Sequence, residues 1–579
     1  MPRRPLLLAT TLALAAAAGR ADIGGRVLVE GEFPDVPVAG AWVHVQGQPA
    51  PGVFAGPDGA FLLDVDPVGA VVVVASLSYA EGAAENFLIG GAFAVNGETA
   101  AEIRLTRLPA AEQPGHQPAP YTQCAGCHPQ QAADWESSRH AFTASNAWVL
   151  DLYSGSGTPG GGAGYVYTAT HDPGETGNCA TCHAPMADLL AGGTLALDDP
   201  AIPDYGLQGV VCVACHQLTD IDEQHLDALH HLGKASYRFP ASPDGDTSMF
   251  VWGPLDDVTF GGMRPSHSPL HRSSLLCASC HQYKNPETGA SGQSTYTEWL
   301  ASPYAQAGPG FRTCQDCHMP ASEGMGTICL FGGVERPGVD RKRHTWVGST
   351  PETMAANVGF SASAEQLPGG RLRVTTSVEN FGAGHDFPTG VGLRNVIVLV
   401  EATVAGAPLE QVGGATIPWW ADDEVPGAQP GDLAGLPGTG YAKVMRGRIN
   451  GQGPVVRPVL FVDAEEVESN TQIPSGAIAS AEVEFALPLG LAPGAEVEVT
   501  ARLLWRRAWR AFAVTKGWTE DIRGGPLEVE VHREELTLPL AAIPVQEIPA
   551  LAPGGLALLA AALGAAALSR LGRRRGSRR

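Results

Sequence analysis

Ten of the eleven cysteines in this 579-residue chain fall in five copies of Cys-x-x-Cys-His. The copies are Cys124/Cys127/His128, Cys179/Cys182/His183, Cys212/Cys215/His216, Cys277/Cys280/His281 and Cys314/Cys317/His318. This is the attachment signature of c-type haem. The two thiols add to the haem vinyl groups as thioethers, and the adjoining imidazole ligates the iron. Zinc knuckles would pair within about 15–20 residues. Here the two nearest copies begin 33 positions apart, at Cys179 and Cys212, and zinc has no need of a histidine after every second cysteine. A thioredoxin-like redox pair accounts for one Cys-x-x-Cys beside a βαβ pattern, not for five. The motifs therefore imply five covalently attached haem c groups, and with them electron transfer. The eleventh cysteine, Cys329, reads as a small buried hydrophobe or a free thiol.

Each motif fills one axial position of an iron. A second histidine makes a haem suited to electron transfer, and a vacancy makes a substrate site. Of the 17 histidines, five belong to the motifs, leaving twelve: His44, His116, His140, His171, His225, His230, His231, His267, His271, His344, His385 and His532. His44 and His532 lie in strand patterns and read as structural, which leaves ten for five irons. One of His267 and His271, four residues apart before the fourth motif, is expected to ligate, with His267 preferred. One of His225, His230 and His231 is expected to do so as well, and His230 is taken. His230 and His231 point in different directions on a helix and do not serve one iron. His171, after a glycine-rich loop, and His116 are weaker candidates. Met249, Met263, Met319 and Met325 are alternatives with less support.

The positions of these residues depend on three sections of chain. Residues 22–108 alternate with period two at Val27 and Val29, Trp42 to Val45, and Phe61 and Leu63, around the turn Gly56-Pro57-Asp58-Gly59. A small β-sandwich is expected. Residues 109–120 hold four prolines and read as a linker. The section 121–350 holds the motifs and little amphipathic helix beyond 134–146 and 220–232, so haem must supply much of its buried apolar surface. From 351 to 540 the pattern is β again, with Leu372, Val374 and Val378 alternating, an apolar run at 396–400, and turns such as Pro493-Gly494. A second β-sandwich is expected there.

The two ends carry address signals. Arg3 and Arg4, an apolar stretch at 6–18 and small residues to Ala21 read as a secretory signal peptide over 1–21. Residues 550–569 lack charge, enough for a transmembrane helix, and six arginines follow within ten positions. By the positive-inside rule the tail stays cytoplasmic and the body lies outside, on the periplasmic or cell-surface side. The formal charge of −23 argues against nucleic acid.

Three resemblances follow from quoted residues. Val38-Ala39-Gly40-Ala41 with Gly56 to Leu62 resembles the carboxypeptidase regulatory-like domain, implying a spacing or stabilising role for 22–108. Ile548-Pro549-Ala550-Leu551, the apolar span and the arginines resemble an Ile-Pro-Thr-Leu-type sorting segment over 548–579, although alanine stands where threonine is usual, so the segment is a processed signal or a plain anchor. The first motif, followed by Trp135-Glu136-Ser137-Ser138-Arg139-His140-Ala141, resembles the multihaem cytochromes c that include hydroxylamine oxidoreductase and the tetrahaem cytochromes accepting its electrons. So do Gly209 to His216, Ser274 to Gln282, Thr297 to Tyr304 and Cys317-His318-Met319-Pro320. The element Gly384-His385-Asp386-Phe387-Pro388-Thr389-Gly390 fits too. This resemblance implies that His140, His344 and His385 are distal ligands. It departs from the oxidoreductase in motif count and in lacking a counterpart of its cross-linking tyrosine, and from pentahaem nitrite reductase in lacking Cys-x-x-Cys-Lys.

The chain thus reads as a multidomain protein: an N-terminal β-sandwich, a loop- and helix-containing multihaem core, a C-terminal β-sandwich contributing a haem ligand, and a C-terminal transmembrane helix. The function expected is that of an exported carrier passing electrons along about five mainly bis-histidine haems between redox partner proteins, held by a C-terminal membrane anchor. The rival is an oxidoreductase acting on a small nitrogen or sulfur compound at one open haem, with Arg264, Tyr283 and Lys284 as pocket candidates. An adhesion or scaffolding role is a third reading, which five haems disfavour.

Overall fold

A computed structural model describes residues 22–159, 161–227, 230–242, 249–259, 262–422 and 431–542. The expected signal peptide and transmembrane segment lie outside these residues. Among the described residues no helix is long and apolar enough to cross a membrane.

The first section forms two sheets. Ile23–Val29 pairs antiparallel with Ala60–Leu63 and parallel with Ala101–Leu105. The second sheet runs in the order Gln48–Phe54, Trp42–Val45, Ala70–Ser76 and Gly90–Val95. Between them Val27, Val29, Val43, Phe61, Leu63 and Ile103 form a closed apolar core, as alternation along each strand requires. The expected turn is present: Gly59 has φ +76° and its N–H donates to Gly56 O over 2.9 Å. His44 is buried on the opposite face of its strand, where its Nε2 lies 3.3 Å from Asp256 of the core. Beside it, Asp257 accepts from the Gly47 N–H and forms a buried bidentate pair with Arg336. The sandwich is therefore fastened to the core rather than hung from it. The proline-rich segment is fastened too. Gln113 N–H donates to Phe239 O and Ala241 N–H to Ala111 O.

The core is a succession of short helices and turns. Four motifs lie on helical turns that end on their histidine: Ala180–His183, Cys212–His216, Leu275–His281 and Cys314–His318. One helical turn places the two cysteines of a motif on the same face. In the first motif, His128 instead caps the helix Pro129–Ser137. The two longer helices expected here are not formed. Over 134–146 the chain breaks at Ser138, which is extended, before a 3-10 turn at His140–Phe142. Over 220–232, Leu218–Ile221 is a strand paired with Ala235–Tyr237. Asp222 accepts from Gln224 N–H and caps a 3-10 turn, a local bond that competes with continued helix.

The last section is a β-sandwich. One sheet runs Val358–Leu367, Arg371–Asn380, Ile478–Ala486, Gln411–Gly414, and the other Glu466–Asn470, Gly438–Arg446, Asn395–Val404, Glu496–Arg506, Glu528–Pro539. Asn395–Val404 reads as a continuous apolar run because both faces are covered. Val396, Val398 and Val400 face the sandwich core, while Ile397 and Leu399 meet Trp420 and Trp509 on the other side.

Three buried polar contacts join this domain to the core. Lys516 Nζ lies 2.8 Å from Asp151 Oδ1 with both side chains fully buried, and Trp518 Nε1 donates to the other carboxylate oxygen. Lys443 faces Glu298 at 3.7 Å. Tyr165 and His171 both contact the buried carboxylate of Asp463. Removing one member of a buried pair strands the other charge. Lys516→Met is accordingly expected to cost about 3–5 kcal/mol of stability in chemical denaturation of the holoprotein. A loss below about 1 kcal/mol, the range of an exposed pair, would show that this contact does not hold the domains together.

Candidate haem-binding core

All fifteen motif residues line one continuous cavity of about 1940 Å³. That exceeds the roughly 300–1,000 Å³ of a small-molecule pocket. A chain with its own apolar core would have closed such a space, since interiors pack to crystal-like density. The wall also includes His140, His230, His231, His271, His344 and His385.

The motif histidines are oriented by what their Nδ1 atoms touch. Nδ1 lies 3.1 Å from Ile328 O in His128, 3.0 Å from Thr143 O in His183, 2.8 Å from Trp252 O in His216 and 2.6 Å from Val347 O in His318. Nδ1 of His281 lies 3.0 Å from the Gln293 side-chain amide. His281 Nδ1 accepts from the Gln293 amide N–H, whereas in the four that meet a carbonyl, which only accepts, Nδ1 carries the proton and Nε2 is left as the unprotonated ligand atom. His344 and His385 are set the same way, on Lys342 O at 3.1 Å and Asp386 O at 3.0 Å.

The distal candidates divide by position. A metal about 2 Å from two imidazole nitrogens on opposite sides leaves the ring centroids roughly 6 Å apart. His140 and His281 stand 6.4 Å apart, and His318 and His385 stand 6.2 Å apart. His216 has two neighbours, His344 at 6.5 Å and His271 at 5.5 Å. His344 also lies within electrostatic range of His128. His230 stacks on Tyr283 at 5.1 Å. His231 is tied through Nε2 to the Tyr237 hydroxyl, which donates to Ala214 O, and its Nδ1 is buried without a partner. The Nδ1 atoms of His140 and His271 are likewise buried without partners.

The remaining candidates sit elsewhere. His267 is outside the cavity wall, with Nδ1 3.1 Å from the Ser78 hydroxyl. His225 is exposed beside Asp222, His116 stacks on Phe239, and His171 is held by Asp463. Met249, Met263 and Met319 reach the wall, whereas Met325 is exposed. Of the suggested pocket residues, Tyr283 lines the cavity, Lys284 pairs with Asp227 and Arg264 lies over Phe250.

Burial in the wall favours the neutral form of seven of its imidazoles, the form that ligation requires. Burial, with His281 adding to it, holds His140 down to about 4. Burial and then His216 hold His344 down to about 4 and His271 to about 3. Burial also lowers His183, His216, His281 and His385. An enlarged apolar cavity, paired imidazoles with free nitrogens and thiols at its rim together fit covalent haem.

Thiols from different motifs meet in this wall. Cys124 lies beside Cys212, Cys182 beside Cys280, and Cys277 beside Cys314, all as free thiols. Cys215 lies within electrostatic range of Cys280. The fourth motif thus adjoins the second, third and fifth, and the first adjoins the third. Cys329, expected as a small buried hydrophobe or a free thiol, is a half-buried free thiol in the same wall, close to Cys127. Sequence reasoning also missed a group of three arginines, Arg139, Arg394 and Arg507, in the same wall. Two of them follow recognisable elements, but nothing local marks Arg507.

Residues 123–217 match the family described as cytochrome c554 and c-prime. With the repeated motifs and the cavity, this match supports a multihaem cytochrome c with covalently bound haem, involved in electron transfer. No curated protein sequence matches the chain. Among solved structures, a penta-heme cytochrome c552 from Thermochromatium tepidum aligns at 20% identity over 72% of this chain and 99% of its own, with a TM-score of 0.47. AvmM, a catalyst of macrocyclization in alchivemycin A biosynthesis, aligns at 14% identity over 33% of this chain and 92% of its own, with a TM-score of 0.14. Neither score reaches the level at which a shared fold follows.

A Cys314→Ala/Cys317→Ala double variant is expected to be lighter than the wild type by one haem, beyond the two sulfur atoms, in intact-mass spectrometry. A mass lower by the sulfur atoms alone would mean that the fifth motif carries none.

Proposed function

We propose that the protein is an exported electron carrier in which each of the five motifs holds one haem c. The observation that carries this reading is the pairing of motif and distal imidazoles across the cavity, His281 with His140 at 6.4 Å and His318 with His385 at 6.2 Å. Each haem, when bound, supplies a one-electron iron couple. The chain's part is to fix the ligands, hold them neutral and keep water from the irons. His344 completes the first motif and His271 the third, in place of His267, which has a hydroxyl partner outside the wall. His230 serves the second motif.

His385 comes from the C-terminal domain, and its support explains how that domain acts. Asn380, fully buried, donates to His385 O and to Ile473 O. Glu298, on the core helix Thr295–Ala301, accepts from Asp386 N–H and from the Thr389 hydroxyl. The ligand is thereby held from both domains. Cys317 is the exposed thiol of the motifs, and the exposed rings of Phe311 and Phe381 flank this end of the cavity. We assign electron exchange with a redox partner protein to this edge. The N-terminal sandwich spaces the core from its surroundings, and the apolar C-terminal segment anchors the protein at the outer face of a membrane or is processed there.

One observation favours the rival reading, an oxidoreductase of small nitrogen or sulfur compounds. His230 lies flat on Tyr283, a residue within electrostatic range of Cys179 and Cys182. If that stacking persists in the holoprotein, the second motif's iron is left open.

Magnetic and optical spectra of the holoprotein test both readings. The carrier is expected to be wholly low-spin and unmoved by cyanide or nitrite. A high-spin fraction that shifts with either ligand would establish the open haem instead. His140→Ala and His385→Ala are each expected to convert one haem to high-spin, as is His271→Ala, while His267→Ala leaves the spectrum unchanged. A spectral change in His267→Ala alone would reverse the assignment of the third motif.

A further inference from the structure

Three arginines from separate segments converge on one stretch of the cavity wall. Arg139 precedes the His140–Phe142 turn, Arg394 precedes the strand Asn395–Val404, and Arg507 follows Glu496–Arg506. Their contacts are few. Arg139 Nη2 donates to Asp521 Oδ2 over 3.0 Å, and Arg507 Nε lies 2.9 Å from the same oxygen. Arg507 also donates to Ser349 O and lies over the Trp505 ring. Arg394 donates to Thr389 O over 3.0 Å. Burial and then Arg139 hold both Arg394 and Arg507 down to about 10, with Arg507 adding to the effect on Arg394. Among the described residues, Asp521 is the one carboxylate paired with the group. Three positive charges against one leave a surplus of two; the Arg507 side chain is 12% exposed and that of Arg139 41%, in a wall that haem would cover. A buried surplus of charge is costly unless a ligand neutralises it.

Haem c carries two carboxylates of its own, and a guanidinium fork matches a carboxylate in two-point contact. Arg394 stands between the fourth and fifth motifs, and Arg139 selects the fourth. Arg394 lies within electrostatic range of His281 and of His385. Arg139 is next in sequence to His140, whose ring faces His281. We propose that Arg139, Arg394 and Arg507 form the binding site for the two propionates of the haem attached at Cys277 and Cys280. The inference rests on the reading that the fourth motif carries a haem between His281 and His140. Positive charge at that edge favours the ferrous state, so the cluster sets this haem to a higher potential than it would otherwise have.

The test is a redox titration of the holoprotein, followed optically and by electron paramagnetic resonance, with haem content counted by intact mass. Arg394→Gln is expected to lower one midpoint and leave the others in place, and Arg394→Lys to restore most of the loss. Asp521→Asn, which removes the negative member, is expected to raise the same midpoint. This second variant decides the matter by its sign if Arg394→Gln fails to load or fold. Unchanged midpoints in both variants at full haem content would overturn the proposal while sparing the haem assignment. A wild-type midpoint that moves on adding nitrite or phosphate would overturn it in favour of an open site for small oxyanions. A wild-type mass without haem at the fourth motif would overturn the reading beneath it.

Discussion

The core of this protein is built around a volume that its own side chains do not fill. Every motif cysteine and histidine faces that volume, and the helices bearing them are a turn or two long. Side-chain packing of the ordinary kind cannot stabilise such short pieces, because helices of this length gain too little from their own hydrogen bonds. The thioether links and iron bonds therefore serve as structural members as well as redox chemistry. Folding and cofactor attachment become one process, as in small metal-dependent domains.

The two β domains follow from the same constraint. A core of loops gains rigidity from outside, and each sandwich supplies it through buried polar contacts. At the N-terminal side these are Asp256 and Asp257 with His44, Gly47 and Arg336. At the C-terminal side they are Asp151 with Lys516, Glu298 with Lys443, and Asp463 with Tyr165 and His171. Such contacts are geometrically demanding, so they fix position more than they add stability. The placement of His385 depends on that precision. Its loop is held by Asn380 from one side and Glu298 from the other.

Much of this was legible from the residues. The motifs gave the cofactor, because their spacing is a covalent requirement. Period-two alternation gave both sandwiches, since Val27 and Val29 or Leu372 and Val374 pack the same way wherever a sheet has one buried face. The helices expected over 134–146 and 220–232 failed because Ser138 and Asp222 break them, and pattern reading weighs apolar spacing above such local bonds. The choice between His267 and His271 was beyond the sequence. Four residues separate them, and a 3-10 turn at Pro269–Arg272 carries one into the wall while the other meets Ser78. The arginine cluster was invisible for a similar reason: its members and Asp521 are brought together by tertiary packing alone.

The thiol contacts between motifs have a consequence for robustness. Drawn as a graph, the five motifs form a tree with a hub, the fourth lying near the second, third and fifth, and the first near the third. A tree has no alternative routes. Failure of attachment at a leaf, the second motif for instance, would shorten the array but leave it connected. Failure at the hub would leave three separate groups of motifs. Errors of attachment are therefore unequal, and one at Cys277 and Cys280 would remove the most neighbours.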